Sequence, residues 1–211
     1  MRIAVRLGQV AVALTALLVV VRPALAVDST SLASRSIAEC ERGRRAPDRE
    51  AREAAFTKGL ALAEAAVRAD DDDASAHFGV FCNKGELLRI DGEKISSVLE
   101  FRSVIHELDR TLAIEPDHLQ AMASKGILLM RLPRLLGGDA QAGEAMLREV
   151  VARDPGALAS RLALAERCRS RGELDEARTF AGRALEIANE RGLVDKVEEA
   201  EATLAKIDSA R

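Results

Sequence analysis

The sequence has no tryptophan and no tyrosine, and it contains only five phenylalanines among 211 residues. A core without large aromatic side chains must be built from small and aliphatic residues, and alanine and leucine are abundant here. Such residues pack most closely where one helix lies against another. The same lack argues against sites that stack sugar rings or single-stranded bases on aromatic side chains. The composition therefore favours an all-α protein.

Motifs of common enzyme and metal-binding classes are also missing. The chain has no GxSxG, no P-loop and no HExxH, which are spacings that nucleophilic, phosphate-binding and zinc sites use. The three histidines, His77, His106 and His118, have no cysteine at ligand spacing and are predicted to be surface or interface residues. We therefore expect no enzyme, no catalytic residue, no cofactor and no metal.

Two segments have some features of ligand loops. The acidic run from Asp70 to Asp73 lacks the turn glycine and the downstream glutamate of a calcium loop, so we interpret it as a solvated turn between helices. Gly137 and Gly138 precede a predicted helix start that could bind an anion through free N–H groups. Asp139 supplies a carboxylate at that start, which argues against an external anion.

Cysteine is scarce, odd in number and without a CxxC spacing. Cys40 and Cys82 lie on predicted neighbouring helices and could pair in an oxidising compartment. The sequence leaves this open, because pairing depends on a distance that spacing does not fix. Cys168 is predicted to be a small buried core residue.

The only long apolar run, residues 10–21, lies near the N-terminus. It follows two arginines, is interrupted by Arg22 and is too short for a membrane span, which needs about 20 residues. Small residues follow up to Ala26. This pattern predicts a secretory signal peptide over residues 1–26 with cleavage after Ala26. We expect a periplasmic or secreted chain with no membrane insertion after cleavage.

The predicted mature chain is acidic. Without the three arginines of the signal segment, 28 basic side chains face 34 acidic ones, a formal charge of −6. This charge argues against a nucleic-acid partner. No second shift in composition follows residue 27, so we expect one domain.

Four segments with a shared ending indicate an internal repeat: AVRADD, TLAIEP, VVARDP and ALEIAN. Each closes an amphipathic stretch with an acidic residue, a proline or an asparagine, as helices do before tight turns. The intervals between these stops are 45, 39 and 34 residues. The predicted units are residues 31–71, 74–116, 119–155 and 158–189, followed by a capping helix over 193–209.

The last unit, ALASRLALAERCRSRGELDEARTFAGRALEIAN, has small residues at Ala165, Ala177 and Ala184, and Gly172 at the turn. With its 34-residue period, the chain resembles the tetratricopeptide-repeat (TPR) family, although Ala181 stands where that family usually has an aromatic residue. The resemblance implies an α-solenoid of antiparallel helix hairpins. The chain also resembles exported bacterial TPR proteins and, more distantly, the TPR subunit of binding-protein-dependent (TRAP-type) transporters.

The stretch RLPRLLGGD, residues 131–139, is predicted to be an enlarged turn inside the third hairpin. Gly126 takes the close-packing place in the first helix of that hairpin. Pro133 ends this helix, the two glycines reverse the chain and Asp139 caps the second helix. We expect the three leucines to fold back over the hairpin end. A second insertion is predicted near RIDGEKISS, residues 89–97.

The TPR resemblance implies a concave groove lined by the first helix of each hairpin. Some family members clamp a peptide carboxylate there with lysine and asparagine, but this chain has Leu162 and Glu166 at such places, so that function is not carried over. Both the groove and the enlarged turn stay open as partner sites. The candidate partner-binding residues are Gln120, Ser124, Ile127, Arg131, Leu132, Leu135, Leu136, Leu162, Glu166 and Arg169.

Our leading hypothesis is a non-enzymatic protein–protein interaction scaffold or adaptor of the bacterial cell envelope. Its protein partner cannot be identified from the sequence. The alternative is an accessory subunit of a solute transporter that handles a small molecule. A hydrolase or metal enzyme is the third and least favoured hypothesis.

Overall fold

The computed structural model describes residues 29–90 and 98–210, so the predicted signal peptide and most of the predicted insertion at 89–97 lie outside the described residues. The described residues form nine α-helices and no β-strand, which confirms the all-α prediction. Their bounds are α1 (Ser29–Arg45), α2 (Arg49–Ala69), α3 (Ala74–Ile90), α4 (Val98–Ile114), α5 (Leu119–Arg131), α6 (Ala140–Arg153), α7 (Leu158–Ser170), α8 (Leu174–Glu190) and α9 (Val194–Asp208).

Consecutive helices pack as hairpins: α1 with α2, α3 with α4, α5 with α6, and α7 with α8. The first helices of neighbouring hairpins also touch, α1 with α3 and α5 with α7, and α9 continues this row by contacting α7 as well as α8. The molecule is therefore a TPR-like α-solenoid, with α9 as its C-terminal cap. None of the described helices combines the length and the apolar character that a membrane crossing requires.

Small residues stand where the helices approach most closely. A Cβ atom added to Gly126 would lie 2.7 Å from Leu147 Cδ2 and 3.0 Å from the carbonyl oxygen of Gly143, which confirms that α5 and α6 meet at Gly126. In the last hairpin, Ala165, Ala177, Ala181 and Ala184 are all fully buried. Alanine at position 181 lets α8 approach where an aromatic side chain would hold it away.

A disulfide joins the first two hairpins. Cys40 in α1 bonds to Cys82 in α3, with their Cα atoms 6.2 Å apart, and both cysteines pack on buried Phe56 of α2. One residue further along α3, the buried Asn83 side chain donates hydrogen bonds to Ser36 Oγ at 3.0 Å and to the carbonyl oxygen of Gly79 at 2.9 Å. The pairing that the sequence left open is therefore present.

The stretch RLPRLLGGD is an enlarged turn between α5 and α6, and it contains a 3-10 turn at Arg134–Leu136. Gly137 has a φ of 88°, which favours glycine, and Asp139 caps α6 by accepting hydrogen bonds from the backbone N–H groups of Gln141 and Ala142. The prediction that the leucines fold back is wrong for Leu135 and Leu136, whose exposed fractions are 98% and 65%. Both side chains lie on the outer side of the turn.

Candidate protein-binding groove

The first helices of the last two hairpins and the capping helix enclose a groove of about 590 Å³ between α5, α7 and α9. It brings together four predicted partner-binding residues: Ile127 and Arg131 from α5, and Leu162 and Glu166 from α7. The full lining is Ile127, Met130, Arg131, Ala159, Leu162, Ala163, Glu166, Arg167, Ser170, Lys196, Glu199, Ala202, Thr203 and Lys206.

The other predicted site residues lie elsewhere. Gln120, Ser124 and Arg169 are on α5 and α7 but do not line the groove, and Leu132, Leu135 and Leu136 belong to the enlarged turn. Sequence reasoning missed the third wall, which includes Lys196, Glu199 and Lys206 of α9, because it assigned this helix only a capping role. The basic and acidic residues on one face of α9 were the available signal.

The apolar part of the groove combines aliphatic side chains with alanines. Leu162 is buried and packs with Leu158, Ala184 and Ile187 in the core beneath the groove. Ala159, Ala163 and Ala202 are the alanines of the lining. Because a methyl side chain fills little space, these alanines leave a channel between helices that larger residues would close.

The charged side chains of the lining are predominantly basic. Arg131, Arg167, Lys196 and Lys206 face only two acidic residues, Glu166 and Glu199, which gives the lining a formal charge of +2. The predicted mature chain as a whole carries −6. The groove is therefore a basic region of an acidic protein.

Some of these charges already have partners. The Lys196 ammonium group lies 2.6 Å from Glu199 Oε2. Arg169 donates two hydrogen bonds to Glu166, and these hold the pKa of the Glu166 carboxyl below its ordinary value. Within residues 29–90 and 98–210, Arg131 and Lys206 form no salt bridge, although the charge of Lys206 also helps to lower the pKa of Glu166.

Arg167 connects the groove to a network of charges between α6, α7 and α8. Its Nε lies 3.4 Å from Oε2 of the buried Glu144, which also accepts hydrogen bonds from Arg171 at 2.6 and 3.0 Å and from Arg148 at 3.0 Å. Arg148 in turn donates to Glu176 at 2.7 and 3.1 Å. These bonds fix the three helices relative to one another, and with them one wall of the groove.

Cys168, Glu173 and Glu176 have potential metal-ligand atoms within 4.8 Å of one another. Both carboxylates are already engaged by arginines, Glu173 by Arg171 and Glu176 by Arg148. Burial, reinforced by Glu176, raises the pKa of the Cys168 thiol to about 11, so the sulfur is protonated at neutral pH. We interpret this cluster as ion pairs around a buried core cysteine, in agreement with the sequence prediction for Cys168.

The histidines have structural positions. His77 is buried, with Nδ1 2.7 Å from Glu107 Oε2 and Nε2 2.9 Å from the carbonyl oxygen of Asp71. His118 caps α5 by accepting a hydrogen bond from the backbone N–H of Ala121, and His106 is exposed. His106 therefore lies on the surface as predicted, whereas His77 is buried between α3 and α4. The capping role of His118 was missed, because histidine is not among the favoured capping residues.

The acidic run Asp70–Asp73 forms the turn between α2 and α3. Arg110 of α4 donates to Asp72 Oδ1 at 2.9 Å and to the carbonyl oxygen of Asp71 at 3.2 Å. Asp73 accepts a hydrogen bond from the backbone N–H of Ala76 at the start of α3. The run therefore joins neighbouring hairpins through hydrogen bonds and ion pairs.

Comparison with solved structures gives a distant match. The chain is similar to a solved structure titled "MamA RS-1 ArsTM double mutant", with 14% sequence identity and a TM-score of 0.48, over 85% of this chain and 94% of that chain. No model of a protein family and no curated protein matches the sequence. The TPR-like fold rests on the stacked hairpins described above, and the likeness is too distant to indicate a partner.

Proposed function

We propose that this protein is a non-enzymatic scaffold that binds an extended acidic segment of a protein partner in the groove between α5, α7 and α9. One observation carries the proposal: apolar side chains and alanines lie beside two cations, Arg131 and Lys206, that have no ion pair among the described residues. The apolar part would bury hydrophobic side chains of the segment, and the cations would attract its carboxylates.

Charge supports this choice of partner. An acidic segment is repelled by most of an acidic protein but attracted to a basic groove, so long-range electrostatics would guide it to this face. The interaction is expected to weaken as salt rises, because screening shortens the range of these forces. The alternative of an accessory transporter subunit stays a prediction, since no feature of the described residues favours it.

The proposal includes export to the bacterial cell envelope. Residues 1–26 have the pattern of a secretory signal. The Cys40–Cys82 disulfide supports the same location, because such bonds persist in oxidising compartments and are rare in the cytosol of mesophiles.

A direct test uses a fluorescent peptide in which glutamate alternates with leucine, with a lysine–leucine peptide as the charge-reversed control. Fluorescence anisotropy should show binding of the acidic peptide only. Lys206→Glu should weaken this binding by about tenfold, whereas Arg68→Glu, at an exposed arginine of α2, should leave it unchanged. Equal binding of both peptides, or full binding by Lys206→Glu, would contradict the proposal.

A second experiment identifies the natural partner. Proteins retained from an envelope extract by the parent protein are compared with those retained by Lys206→Glu and by Arg68→Glu. A partner lost only with Lys206→Glu would be assigned to the groove. A small molecule that co-purifies with the parent in native mass spectrometry, without such a protein partner, would favour the transporter alternative instead.

A further inference from the structure

The enlarged turn between α5 and α6 holds two leucines in solvent. We call residues Arg134–Leu136 the leucine tip. Leu135 is 98% exposed and Leu136 is 65% exposed, while Arg134 beside them is also exposed. Neither leucine lines the groove between α5, α7 and α9, so the tip is a separate feature of the surface.

The backbone around the tip keeps the leucines outside. Leu136 N–H and Gly138 N–H both donate to the carbonyl oxygen of Pro133, at 2.8 and 3.1 Å, and Asp139 N–H donates to the carbonyl oxygen of Leu129 at 2.9 Å. A Cβ added to Gly138 would lie 1.8 Å from the carbonyl oxygen of Leu132, so this position requires glycine. The closed turn therefore presents the two apolar side chains outward.

The charges at the tip are basic. Arg134 and the neighbouring Arg131 are exposed, and neither has an ion pair within the described part of the chain. The nearby acidic residue, Asp139, accepts hydrogen bonds from backbone N–H groups at the start of α6. Two adjacent leucines thus follow the unpaired Arg134 in a protein that is acidic overall, while Arg131 belongs to the groove.

The other strongly exposed aliphatic residues lack this combination. Leu99 in α4 is 78% exposed and Val194 at the start of α9 is 68% exposed, and each is followed directly by an acidic residue, Glu100 and Asp195 respectively. Single apolar residues of this kind are common on protein surfaces. Phe101 of α4 is also 38% exposed, but Glu100 lies between it and Leu99, whereas the two leucines of the tip directly follow Arg134 with no acidic residue adjacent to them.

We propose that the leucine tip docks reversibly on a membrane that contains anionic lipids. Leu135 and Leu136 enter the boundary between headgroups and acyl chains, and Arg134 binds a lipid phosphate. Two side chains are too few for a stable protein interface, which buries about 800 Å² on each partner, but they suit shallow insertion. Charge complementarity selects the anionic surface, and the acidic remainder of the molecule orients the tip towards it.

The test is co-sedimentation with vesicles made of equal parts phosphatidylglycerol and phosphatidylcholine, with pure phosphatidylcholine vesicles as reference. The protein is purified after export, so that every variant carries the same N-terminus. The parent should bind the anionic vesicles and release them as salt rises. The double variant Leu135→Ser and Leu136→Ser should bind more than about tenfold more weakly, and Arg134→Gln about fivefold more weakly.

Val194→Ser is the matched control, because it removes an exposed aliphatic side chain on another helix, α9, and should bind like the parent. A second measurement reports on the tip alone: an environment-sensitive fluorophore attached to Leu136→Cys should shift to the blue on anionic vesicles, whereas the same label on Val194→Cys should not. Thermal unfolding checks that each variant folds, which exposed substitutions should permit.

Three outcomes would overturn the proposal: no binding of the parent to anionic vesicles, undiminished binding by the double leucine variant, or equal binding to both vesicle types. If the double leucine variant instead loses a protein partner while its vesicle binding is unchanged, the tip is a protein-docking surface. Because the peptide test uses Lys206 and the vesicle test uses Arg134 and the leucines, either proposal can fail without the other.

Discussion

At the scale of single residues, side-chain volume decides how closely the helices approach. A Cβ added to Gly59 of α2 would lie 2.1 Å from Oδ1 of the buried Asn83, so α2 reaches α3 only because this position has no side chain. In the last hairpin, the fully buried Ala177 and Ala181 lie against Cys168 and Ile207. Closely packed small residues therefore fill the core of a protein that has no tryptophan or tyrosine.

Ala177→Leu should lower the free energy of unfolding by about 1–3 kcal/mol. The larger side chain would enter a fully buried cluster with Ala165 and Ile207, where no space is available without moving α8. Thermal and urea unfolding followed by circular dichroism measure the change. Ala205→Leu, at an exposed position of α9, is the control. An unchanged midpoint for Ala177→Leu would show that this contact is not closely packed.

His77→Ala should also destabilise the fold, by about 1–3 kcal/mol. It leaves Oε2 of the half-buried Glu107 and the carbonyl oxygen of Asp71 without the imidazole that now lies within 3 Å of both. The matched control is His106→Ala, since His106 is exposed on α4. Urea unfolding at neutral pH should separate the two variants, and coincident transitions would contradict the structural role of His77.

Glu144 should make stability sensitive to acid. Burial raises the pKa of its carboxyl, but hydrogen bonds from Arg171, Arg148 and Arg167 outweigh burial and hold this pKa below its ordinary value of 4.5. A carboxyl with a lowered folded-state pKa stabilises the protein fully above its unfolded-state pKa. This contribution is lost as pH falls through the folded-state pKa.

The Glu144→Gln variant should therefore be less stable than the parent at neutral pH and should lose less stability below about pH 5. Urea unfolding at a series of pH values measures both effects. Glu201→Gln, an exposed substitution on α9, serves as control. Parallel pH profiles for Glu144→Gln and the parent would show that the carboxylate does not contribute in this way.

At the scale of elements, we expect that the enlarged turn can be replaced without disturbing the packing of α5 against α6. Gly172 has a φ of 79° and closes the neighbouring hairpin with a short turn. Replacing Leu132–Gly138 with the sequence GELD should leave α5 and α6 packed through Gly126 and Gly143, because neither glycine belongs to the turn.

The shortened variant should unfold cooperatively, keep its helical circular dichroism and still bind the acidic peptide. It should lose binding to phosphatidylglycerol vesicles, because the leucine tip is removed. Collapse of the fold would show that the turn is needed for packing of the hairpin. Retained vesicle binding would assign the membrane contact to another surface.

The sequence predicted the helices and their hairpins better than it predicted which side chains are exposed. Periodicity and stop residues predicted the hairpins, while Gly126 and Asp139 had local signals for close packing and capping. The exposure of Leu135 and Leu136 had no such signal, because it depends on how the backbone of the turn closes. The third wall of the groove was missed for a related reason: the charged face of α9 was visible in the sequence, but its position beside α7 depends on how the helices stack.

At the scale of the whole molecule, the prediction concerns export. The mature protein should begin at Val27, because small residues up to Ala26 follow a short apolar run. N-terminal sequencing of material recovered outside the cytoplasm measures this, and intact mass spectrometry provides a second reading. Recovery of exported protein that retains residues 1–26 would contradict cleavage at this site.

The position of the disulfide has a consequence for the order of assembly. Under the proposed export from the N-terminus, Cys40 and Cys82 would reach the oxidising side before α5 to α9 arrive. The disulfide between α1 and α3 could therefore form while the rest of the chain is still crossing the membrane. The later hairpins would then pack one by one against α1–α4, which the disulfide already holds together. Growth of the solenoid would follow the direction of secretion, and the groove, built from α5, α7 and α9, would be its last part to form.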